Sequence, residues 1–526
     1  MEMTNYNSDS KDILSNILKT VLILVFLFLY GLLLFGENVL TAKFIIPNYI
    51  LFICAVLFIV LISKYIPIQH NTTIKRYREN VLIFLISLAI LGLQFFITYN
   101  IIFRTSWDVA AVWYGSHWVS MNDIDGILKM SEYYSIYPNN LLLVFIFSRI
   151  LKLNLLLGNH ISNGGLLLAL IQCIMINLSG IILFKCAKHY VSIRLSWVAY
   201  SLYTLLISLS GWMVLPYSDG MGVIFPILLL YLYIRCRECA IHWKKYMYIF
   251  FLFLIGIIAY HIKPYTAIIL IAIVVIELIN FIKTVFQHNM NISHVRQSIF
   301  AVILAVITLF LGSFFISYAN NSMGFEINPE QEMGIPHYLM MGANVNSWGG
   351  YSDEDLAFGS DLDNKKLRNQ AEMKEFFSRL SDMGLTGYLK LFTHKAAKNF
   401  LDGTYSWRSA DSFYTEIYPS RGTISDLLRS WYYGFGSLYR YNAVIRQFLW
   451  IMVLFLVPFS AFCKRAFSTQ EKVLVLSILG LMLYLQIFES QARYVFTFIP
   501  LYTILAGMGI KNIRYFLVKK QQTDKI

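Results

Sequence analysis

The sequence predicts an all-α polytopic membrane protein, and three observations support this fold class. The 526 residues are 57% hydrophobic and 16% aromatic, and their mean hydropathy is +0.59, outside the usual range for a soluble chain of this length. Apolar windows of about 17 to 23 residues, long enough to cross a bilayer, recur along most of the chain. These windows show no alternation of period two, so helices are predicted rather than the strands of a barrel.

We expect about twelve membrane crossings, with both ends of the chain in the cytoplasm. The residues before the first crossing carry mixed charge and lack a small-residue cleavage pattern, which indicates an uncleaved first helix. The predicted crossings are residues 20–36, 46–63, 81–103, 162–184, 193–213, 221–236, 246–261, 265–283, 298–318, 443–463, 472–489 and 494–512.

The basic residues set the predicted orientation. They are concentrated in short loops between alternate crossings, as the positive-inside rule requires of cytoplasmic loops. The formal net charge of +13 therefore follows from topology, and no nucleic-acid partner is expected. The clusters are Lys64, Lys75, Arg76 and Arg78; Lys185, Lys188 and Arg194; Arg235, Arg237, Lys244 and Lys245; Lys464, Arg465 and Lys472; and Lys511, Arg514, Lys519 and Lys520.

The segment 141–157 tests this scheme because it is also apolar. If it crossed the membrane, the later basic loops would move to the outside, against the positive-inside rule. Arg149 and Lys152 also interrupt its apolar run. We therefore predict a helix in the outer interface, within a long external loop, and a further crossing is the alternative.

The crossings divide the chain into four predicted parts. Residues 1–80 supply two additional transmembrane helices, and residues 81–318 form the core, with the external loop 104–161. Residues 319–442 are the one large hydrophilic stretch and predict a mixed external domain. Residues 443–526 supply the last crossings and a cytoplasmic tail.

Two helices are predicted inside the hydrophilic stretch. The first starts near Asp363 and runs through Leu380. The second spans about 386–401 and mixes apolar with basic side chains, which is typical of a helix at a membrane interface.

Polar side chains from distant parts of the sequence meet on the predicted outer side. Asp108 follows the crossing 81–103, and Asp219 follows the crossing 193–213. A carboxylate at the mouth of a span stays ionised at the water boundary, whereas one deep in hydrocarbon costs several kcal/mol. The same side carries His261, Lys263, Glu489 and Arg493.

Each of these residues also has a structural interpretation. Asp108 could be a plain helix-end charge, and Asp219 a turn residue in Ser-Asp-Gly. Lys263 could extend from a helix end toward water. Glu489 and Arg493, one helical turn apart, could pair with each other.

An external active site has no nucleotide sugar or ATP, so group transfer there needs a donor carried by the membrane. A sugar carried on a lipid phosphate meets that need. We expect Asp108 to accept a proton from an acceptor hydroxyl. Lys263, Arg493 and Arg104 are the cations available for the phosphate.

The segment Tyr137-Pro138-Asn139-Asn140 precedes the predicted interfacial helix. Asn139 and Asn140 are candidates for hydrogen bonds to a sugar or phosphate. The Tyr-Pro pair could also simply start a helix, with proline in its first turn.

The order of these features resembles the GT-C membrane glycosyltransferases, especially the bacterial protein O-mannosyltransferase-like and aminoarabinose-transferase-like branch. The features are Asp108 after the first core span, the Tyr137-Pro138 motif, Asp219 after the third core span, and a large late external loop. The resemblance covers the chain from about residue 81 onward.

The resemblance implies a GT-C-like bundle and an inverting transfer from a polyprenyl-phosphate sugar. Asp108 would be the general base and Asp219 the second acidic residue. The acceptor would be an envelope glycopolymer, glycolipid or protein. A divalent metal ion is left open as a cofactor, with Asp108, Asp219 and His261 as its candidate ligands.

Two other functions compete with this one. A transporter or flippase of lipid-linked saccharides would carry ionisable residues at mid-span. The predicted spans are nearly free of them, apart from Glu277 toward the inner end of its helix. A polymer-assembly scaffold would not require Asp108 and Asp219 to converge.

Overall fold

A computed structural model describes residues 12–40, 42–65, 76–158, 164–287, 292–362, 364–407 and 413–523. The first fourteen α-helices are α1 Ile13–Phe35, α2 Asn48–Tyr65, α3 Arg76–Ile101, α4 Trp107–Met121, α5 Ile124–Lys129, α6 Ser131–Ile136, α7 Leu141–Leu156, α8 Gly164–Tyr190, α9 Ile193–Tyr203, α10 Ser218–Gly222, α11 Ile224–Glu238, α12 His242–Ile262, α13 Ile268–Phe286 and α14 Ile292–Asn321.

The remaining helices belong to the hydrophilic stretch and the C-terminal bundle. They are α15 Ile335–Gly342, α16 Asp353–Ser360, α17 Lys365–Phe400, α18 Thr423–Tyr432, α19 Tyr439–Leu456, α20 Thr469–Ile487 and α21 Ile499–Thr523. Two short strands, β1 Phe103–Arg104 and β2 Glu416–Ile417, pair in antiparallel register.

The described residues contain 11 helices that are long and apolar enough to cross a membrane, together with the shorter apolar helix Asn48–Lys64. The surface of the bundle is apolar as well: Val302, Phe310 and Phe314 of α14 are 63%, 71% and 69% exposed. Such side chains face lipid rather than water in a polytopic protein. The all-α, multi-pass membrane fold is therefore confirmed.

The predicted crossing 193–213 is wrong as a continuous helix. Helix α9 ends at Tyr203, a π-helical turn follows at Thr204–Ser208, and a 3₁₀ helix covers Gly211–Val214. The buried Arg446 donates hydrogen bonds from Nη1 and Nη2 to the carbonyl oxygens of Leu205 and Leu206, at 3.4 and 2.6 Å. Partners from another helix thus satisfy backbone groups that a regular helix would bond internally.

Helix α7 covers the segment for which we predict an interfacial position. Residues Pro138–Leu156 are among the 11 helices by length and composition. Arg149 donates to Ser322 at 3.3 Å, and Phe145 contacts Phe315 with ring centroids 6.5 Å apart. Both partners lie near the C-terminal end of α14. Because these contacts lie at one end of the bundle, they favour the interfacial position, which stays a prediction.

The loops predicted to be cytoplasmic meet at one end of the bundle, which we call the basic end. Lys19 Nζ donates to the carbonyl oxygens of Cys463 and Arg465 at 2.8 and 2.7 Å. The structure therefore brings together loops that the charge pattern assigns to one side of the membrane, while the orientation of that side stays a prediction. Further ion pairs at this end include Asp12 with Lys472 and Lys283, Glu79 with Lys188, and Glu277 with Arg237.

The hydrophilic stretch is joined to the bundle through α17. This helix covers both predicted helices and is kinked at Gly384, whose φ is 54°. Beyond the kink, Phe392 contacts Phe28 of α1 with ring centroids 5.8 Å apart, and Asn399 Nδ2 donates to the Leu485 carbonyl oxygen of α20 at 3.1 Å. The second half of α17 is therefore part of the bundle wall.

Candidate functional site

Asp108 lies in the first turn of α4, at the opposite end of the bundle from the basic end. The N-terminus of a helix favours a negative charge. Tyr133 donates its hydroxyl hydrogen to Asp108 Oδ1 at 2.8 Å, and Tyr217 donates to Oδ2 at 3.0 Å. Both oxygens of this half-buried carboxylate are thus held by neutral donors.

Asn140 links the two tyrosines. Its Nδ2 donates to the Tyr133 hydroxyl at 2.9 Å, and the Tyr217 hydroxyl lies 3.4 Å from its Oδ1. Burial raises the pKa of Tyr133 well above its usual value, and the nearby charge of Asp108 adds to this effect. Tyr133 therefore stays protonated and keeps donating to Asp108 across the physiological range.

Trp107 adopts a left-handed backbone conformation, with φ at 54°. This region is rarely populated by residues other than glycine, and such strain is concentrated at functional sites. Its ring lies against Tyr217, with centroids 5.4 Å apart, and its Nε1 donates to Thr105 Oγ1 at 2.9 Å. The turn aims the start of α4, and hence Asp108, at Tyr217.

The segment that carries Tyr217 and Asp219 folds around one amide from α8. Gln172 is fully buried; its Oε1 accepts from the Tyr217 backbone N–H at 3.0 Å, and its Nε2 donates to the Trp212 and Leu215 carbonyl oxygens at 2.9 and 2.7 Å. A Cβ at Gly220 would collide with this amide. Gln172 therefore positions the short helix α10.

Asp219 forms a buried ion pair with Lys263. Lys263 Nζ lies 2.8 Å from Asp219 Oδ1 and donates to Ser218 Oγ at 3.2 Å, and Tyr265 donates to the same Asp219 oxygen at 3.3 Å. The Asp219 and Lys263 side chains are only 2% and 10% exposed. The alternatives of a turn residue and of a lysine reaching for water are therefore wrong.

Arg493 lies in the 3₁₀ helix Ala492–Phe498, which joins α20 to α21. Its guanidinium stacks over the Trp107 ring at 4.5 Å, and its Nε lies 3.9 Å from Asp219 Oδ2. Within the described ranges, neither that Nε nor that Oδ2 has a hydrogen-bond partner. A half-buried cation beside Asp108 thus keeps unused hydrogen-bonding capacity.

The structural interpretation expected Glu489 to pair with Arg493, but the two side chains do not form an ion pair. It accepts a hydrogen bond from Tyr494 at 2.9 Å, while Lys263 Nζ lies 5.0 Å from the centroid of the Tyr494 ring. Tyr494 therefore bridges Glu489 to the ion pair of Asp219 and Lys263.

One comparison with known proteins identifies the chain's family. A family model described as "Conserved hypothetical integral membrane protein" matches residues 6–513. The chain belongs to this family. Among curated proteins, none matches the sequence.

Three of the predicted site residues lie outside the group of polar side chains around Asp108 and Asp219. Arg104 pairs with Glu416 at 3.2 Å and donates to Tyr418 at 2.9 Å, so it ties β1 to β2. Asn139 is exposed and His261 is half-buried at the end of α12. In the part of the chain that the structure describes, none of the three forms a hydrogen bond or ion pair with Asp108 or Asp219.

Tyr137 lies at the edge of the same group. Its ring centroid is 5.3 Å from that of Tyr133, and Pro138 starts a 3₁₀ helix that leads into α7, as the helix-start interpretation expected. Burial raises the pKa of Tyr137 above its usual value, with the charges of Asp108 and Glu489 adding to the effect. Tyr137 therefore lies within electrostatic range of both carboxylates.

The candidate metal ligands do not form one ligand set. Asp219 forms an ion pair with Lys263, and Asp108 accepts hydrogen bonds from two tyrosines. Across the described residues, no group of three His, Cys, Asp or Glu side chains is placed to hold a metal ion.

Two lysines beside Glu489, the buried Lys395 and the half-buried Lys398, were not predicted. Lys395 Nζ donates to the carbonyl oxygens of Gly342 and Phe488 at 2.7 and 2.8 Å, and Lys398 Nζ donates to that of Ser347 at 3.0 Å. Burial lowers the pKa of Lys395 to about 7, and the nearby charge of Lys398 adds to this effect. Both lysines fix the loop after α15 against the end of α20.

Sequence reasoning also missed Tyr133, Tyr217 and Gln172. Gln172 had a usable signal, because an amide in the middle of an apolar span needs buried partners. Tyr217 stands two residues before Asp219, so its side chain was close to a predicted site in sequence. Tyr133 had no distinguishing signal, because 35 tyrosines occur in the chain.

Proposed function

We propose that this protein is a membrane glycosyltransferase of the GT-C type. It would transfer a sugar from a polyprenyl phosphate to a cell-envelope glycopolymer or glycolipid on the outer face of the membrane. The observation that carries this proposal is the pair of tyrosine hydrogen bonds on Asp108, with the Arg493 cation stacked on the neighbouring Trp107.

Asp108 is the proposed general base. An acceptor hydroxyl attacks the anomeric carbon of the donor while Asp108 takes the hydroxyl proton. The bond from the anomeric carbon to the phosphate oxygen breaks, and its electron pair leaves with the polyprenyl phosphate. Tyr133 and Tyr217 hold the carboxylate in one orientation during this step, which lowers the entropic cost of reaching the reactive geometry.

Arg493 is the proposed phosphate ligand. Among the described residues its Nε has no hydrogen-bond partner, and its guanidinium stacks on Trp107, the residue before Asp108. A planar guanidinium suits bidentate contact with phosphate oxygens. Of the other two predicted cations, Lys263 is bound to Asp219 and Arg104 is bound to Glu416. We assign both to positioning roles.

Asp219 is the proposed positioning residue for the two cations. It holds Lys263 at 2.8 Å and lies 3.9 Å from Arg493. The fixed Asp219 carboxylate would hold the Arg493 guanidinium on the Trp107 ring, where it can bind the substrate phosphate. The second acidic residue would thus act through the cations.

A transporter or flippase of lipid-linked saccharides is the second candidate, and one observation favours it. Short 3₁₀ helices at Gly211–Val214, Pro264–Ala267 and Ala492–Phe498 interrupt the bundle around the ionic group. Interrupted helices around a polar site are common in secondary transporters.

One experiment separates the two functions. The full chain is reconstituted in liposomes with a panel of synthetic polyprenyl-phosphate hexoses, and both release of polyprenyl phosphate and movement of the lipid between leaflets are measured. We expect Asp108→Asn to lower sugar release about 100- to 10,000-fold. Asp125→Asn removes an exposed carboxylate from the same loop and should retain wild-type release.

Wild-type release by Asp108→Asn would refute the assigned base. Lipid movement without sugar release, in the wild type and in Asp108→Asn alike, would favour the transporter.

A further inference from the structure

Helix α18 binds the end of α3 through its polar side. Ser425 Oγ and Arg429 Nε both donate to the Asn100 carbonyl oxygen, at 2.7 and 3.2 Å. The Tyr433 hydroxyl donates to the Ile101 carbonyl oxygen at 2.9 Å. The last carbonyls of a helix have no partner inside that helix. These contacts therefore cap α3 and fix α18 beside it.

The apolar side of α18 lies partly against the protein and partly outside it: Leu428 and Trp431 pack on the core, whereas Ile424 and Leu427 are exposed. Ile424, Leu427, Leu428 and Trp431 follow the spacing of one helical stripe. Ile424 and Leu427 are 59% and 58% exposed, and Phe435 just beyond the helix is 64% exposed. A helix on a water-soluble surface has the reverse arrangement. An exposed stripe of this kind marks a surface that contacts another hydrophobic phase.

The exposed stripe continues the lipid-facing surface of two spanning helices. Helices α3 and α19, between which α18 packs, belong to the candidate spans Arg78–Ile101 and Tyr439–Ala461. Near α18, α3 exposes Phe96 and Tyr99 at 49% and 50%, and α19 exposes Tyr441 and Ile445 at 44% and 49%. The three apolar surfaces therefore adjoin at one level of the bundle.

Basic side chains flank this surface. The guanidinium of the exposed Arg421 lies 3.9 Å above the Tyr99 ring, and that of the exposed Arg440 lies 4.9 Å above the Tyr441 ring. Arginine and tyrosine together suit the headgroup layer, where one end of the pair is apolar and the other binds phosphate.

We infer that α18 is a membrane-surface helix that inserts Ile424 and Leu427, with the exposed edges of the half-buried Leu428 and Trp431, into the lipid monolayer. Arg421 and Arg440 bind the phosphates of anionic headgroups beside it. The occupant of this surface is the bilayer, because the stripe is continuous with the lipid-facing sides of α3 and α19. The inference does not depend on the proposed transfer reaction.

The experiment measures depth at Leu427 in liposomes of phosphatidylglycerol and phosphatidylethanolamine. Cys54, Cys239 and Cys463 are accessible to the label and are replaced by serine. The other three cysteines are buried and are kept. A nitroxide label is attached at Leu427→Cys or, as a matched control, at Leu367→Cys. Leu367 is 59% exposed at the start of α17, close to the 58% of Leu427.

We expect the Leu427 label to be relaxed severalfold more strongly by oxygen than by a water-soluble nickel chelate, and the Leu367 label to show the opposite preference. Equal relaxation by the chelate at both positions would overturn the inference. Dipolar broadening between Leu427 labels would also overturn it, because a second copy of the chain would then cover the stripe.

Discussion

The hydroxyl of Tyr217 lies 3.0 Å from Oδ2 of Asp108, although 109 residues separate the two in sequence. Tyr217 precedes α10, which carries Asp219, and Asp219 in turn binds Lys263 at 2.8 Å. The two acidic residues on which the functional hypothesis rests are therefore connected through one short segment.

Tyr217→Phe should lower the rate of sugar release about 10- to 100-fold. The variant removes one hydrogen bond to a charged carboxylate, which is worth about 1.5 to 3 kcal/mol. The release assay with polyprenyl-phosphate sugars measures this change as kcat/KM. Tyr418→Phe, which removes the hydroxyl bound to Arg104, serves as the control and should stay near the wild-type rate. An unchanged rate in Tyr217→Phe would show that Asp108 needs no donor from this side.

Lys263→Met should lower the free energy of unfolding by about 3 to 5 kcal/mol, because it leaves the buried Asp219 carboxylate without its cation. The double variant Lys263→Met with Asp219→Asn should lose less than the sum of the two single variants. Unfolding in detergent micelles measures each value. The control Arg235→Met breaks an exposed pair with Glu238 and should cost at most about 1 kcal/mol. Strict additivity in the double variant would contradict a direct pair.

Lys395 should make the protein more stable as the pH rises from about 7 to about 10. Its pKa is about 7 in the folded chain and 10.5 in its ordinary state, so over this interval the unfolded chain binds more protons than the folded one. Below the interval both states are charged, and the cost of burying the ammonium is at its largest. Unfolding measured across this interval should show a smaller slope in Lys395→Met.

Lys366→Met, which removes an exposed lysine from the same helix, should keep the wild-type slope. A Lys395→Met variant with the full wild-type slope would show that another group carries the pH dependence.

Gly349→Ala should destabilise the protein more than Gly158→Ala. Both glycines have positive φ, at 68° and 78°, so alanine strains the backbone at each position. A Cβ at Gly349 would also lie 2.9 Å from the Gly342 carbonyl oxygen and from the Lys395 side chain, whereas a Cβ at Gly158 meets open space. Midpoints of thermal unfolding compare the two variants. Equal decreases in the two midpoints would show that the loop around Gly349 relaxes around the added Cβ without a further loss of stability.

Local sequence properties predicted most of the bundle, because the hydrophobicity of a span is a property of its own residues. Charge parity then placed Asp108, Asp219, Lys263 and Arg493 at one end, where the structure brings them together. The break in the predicted crossing 193–213 escaped prediction because Gln172 and Arg446, which stabilise it, come from two other helices. The orientation of the Arg104 side chain could not be predicted for the same reason, since its partner Glu416 is more than 300 residues away in sequence.

The kink at Gly384 has a consequence for engineering. Residues before the kink belong to the hydrophilic stretch, whereas Lys395 and Asn399 beyond it bind backbone oxygens in the membrane bundle, at the end of α20. A graft of residues 319–442 from a related chain would replace one side of the bundle together with the region it was meant to exchange. Chimeras with a junction at the kink would retain that side intact.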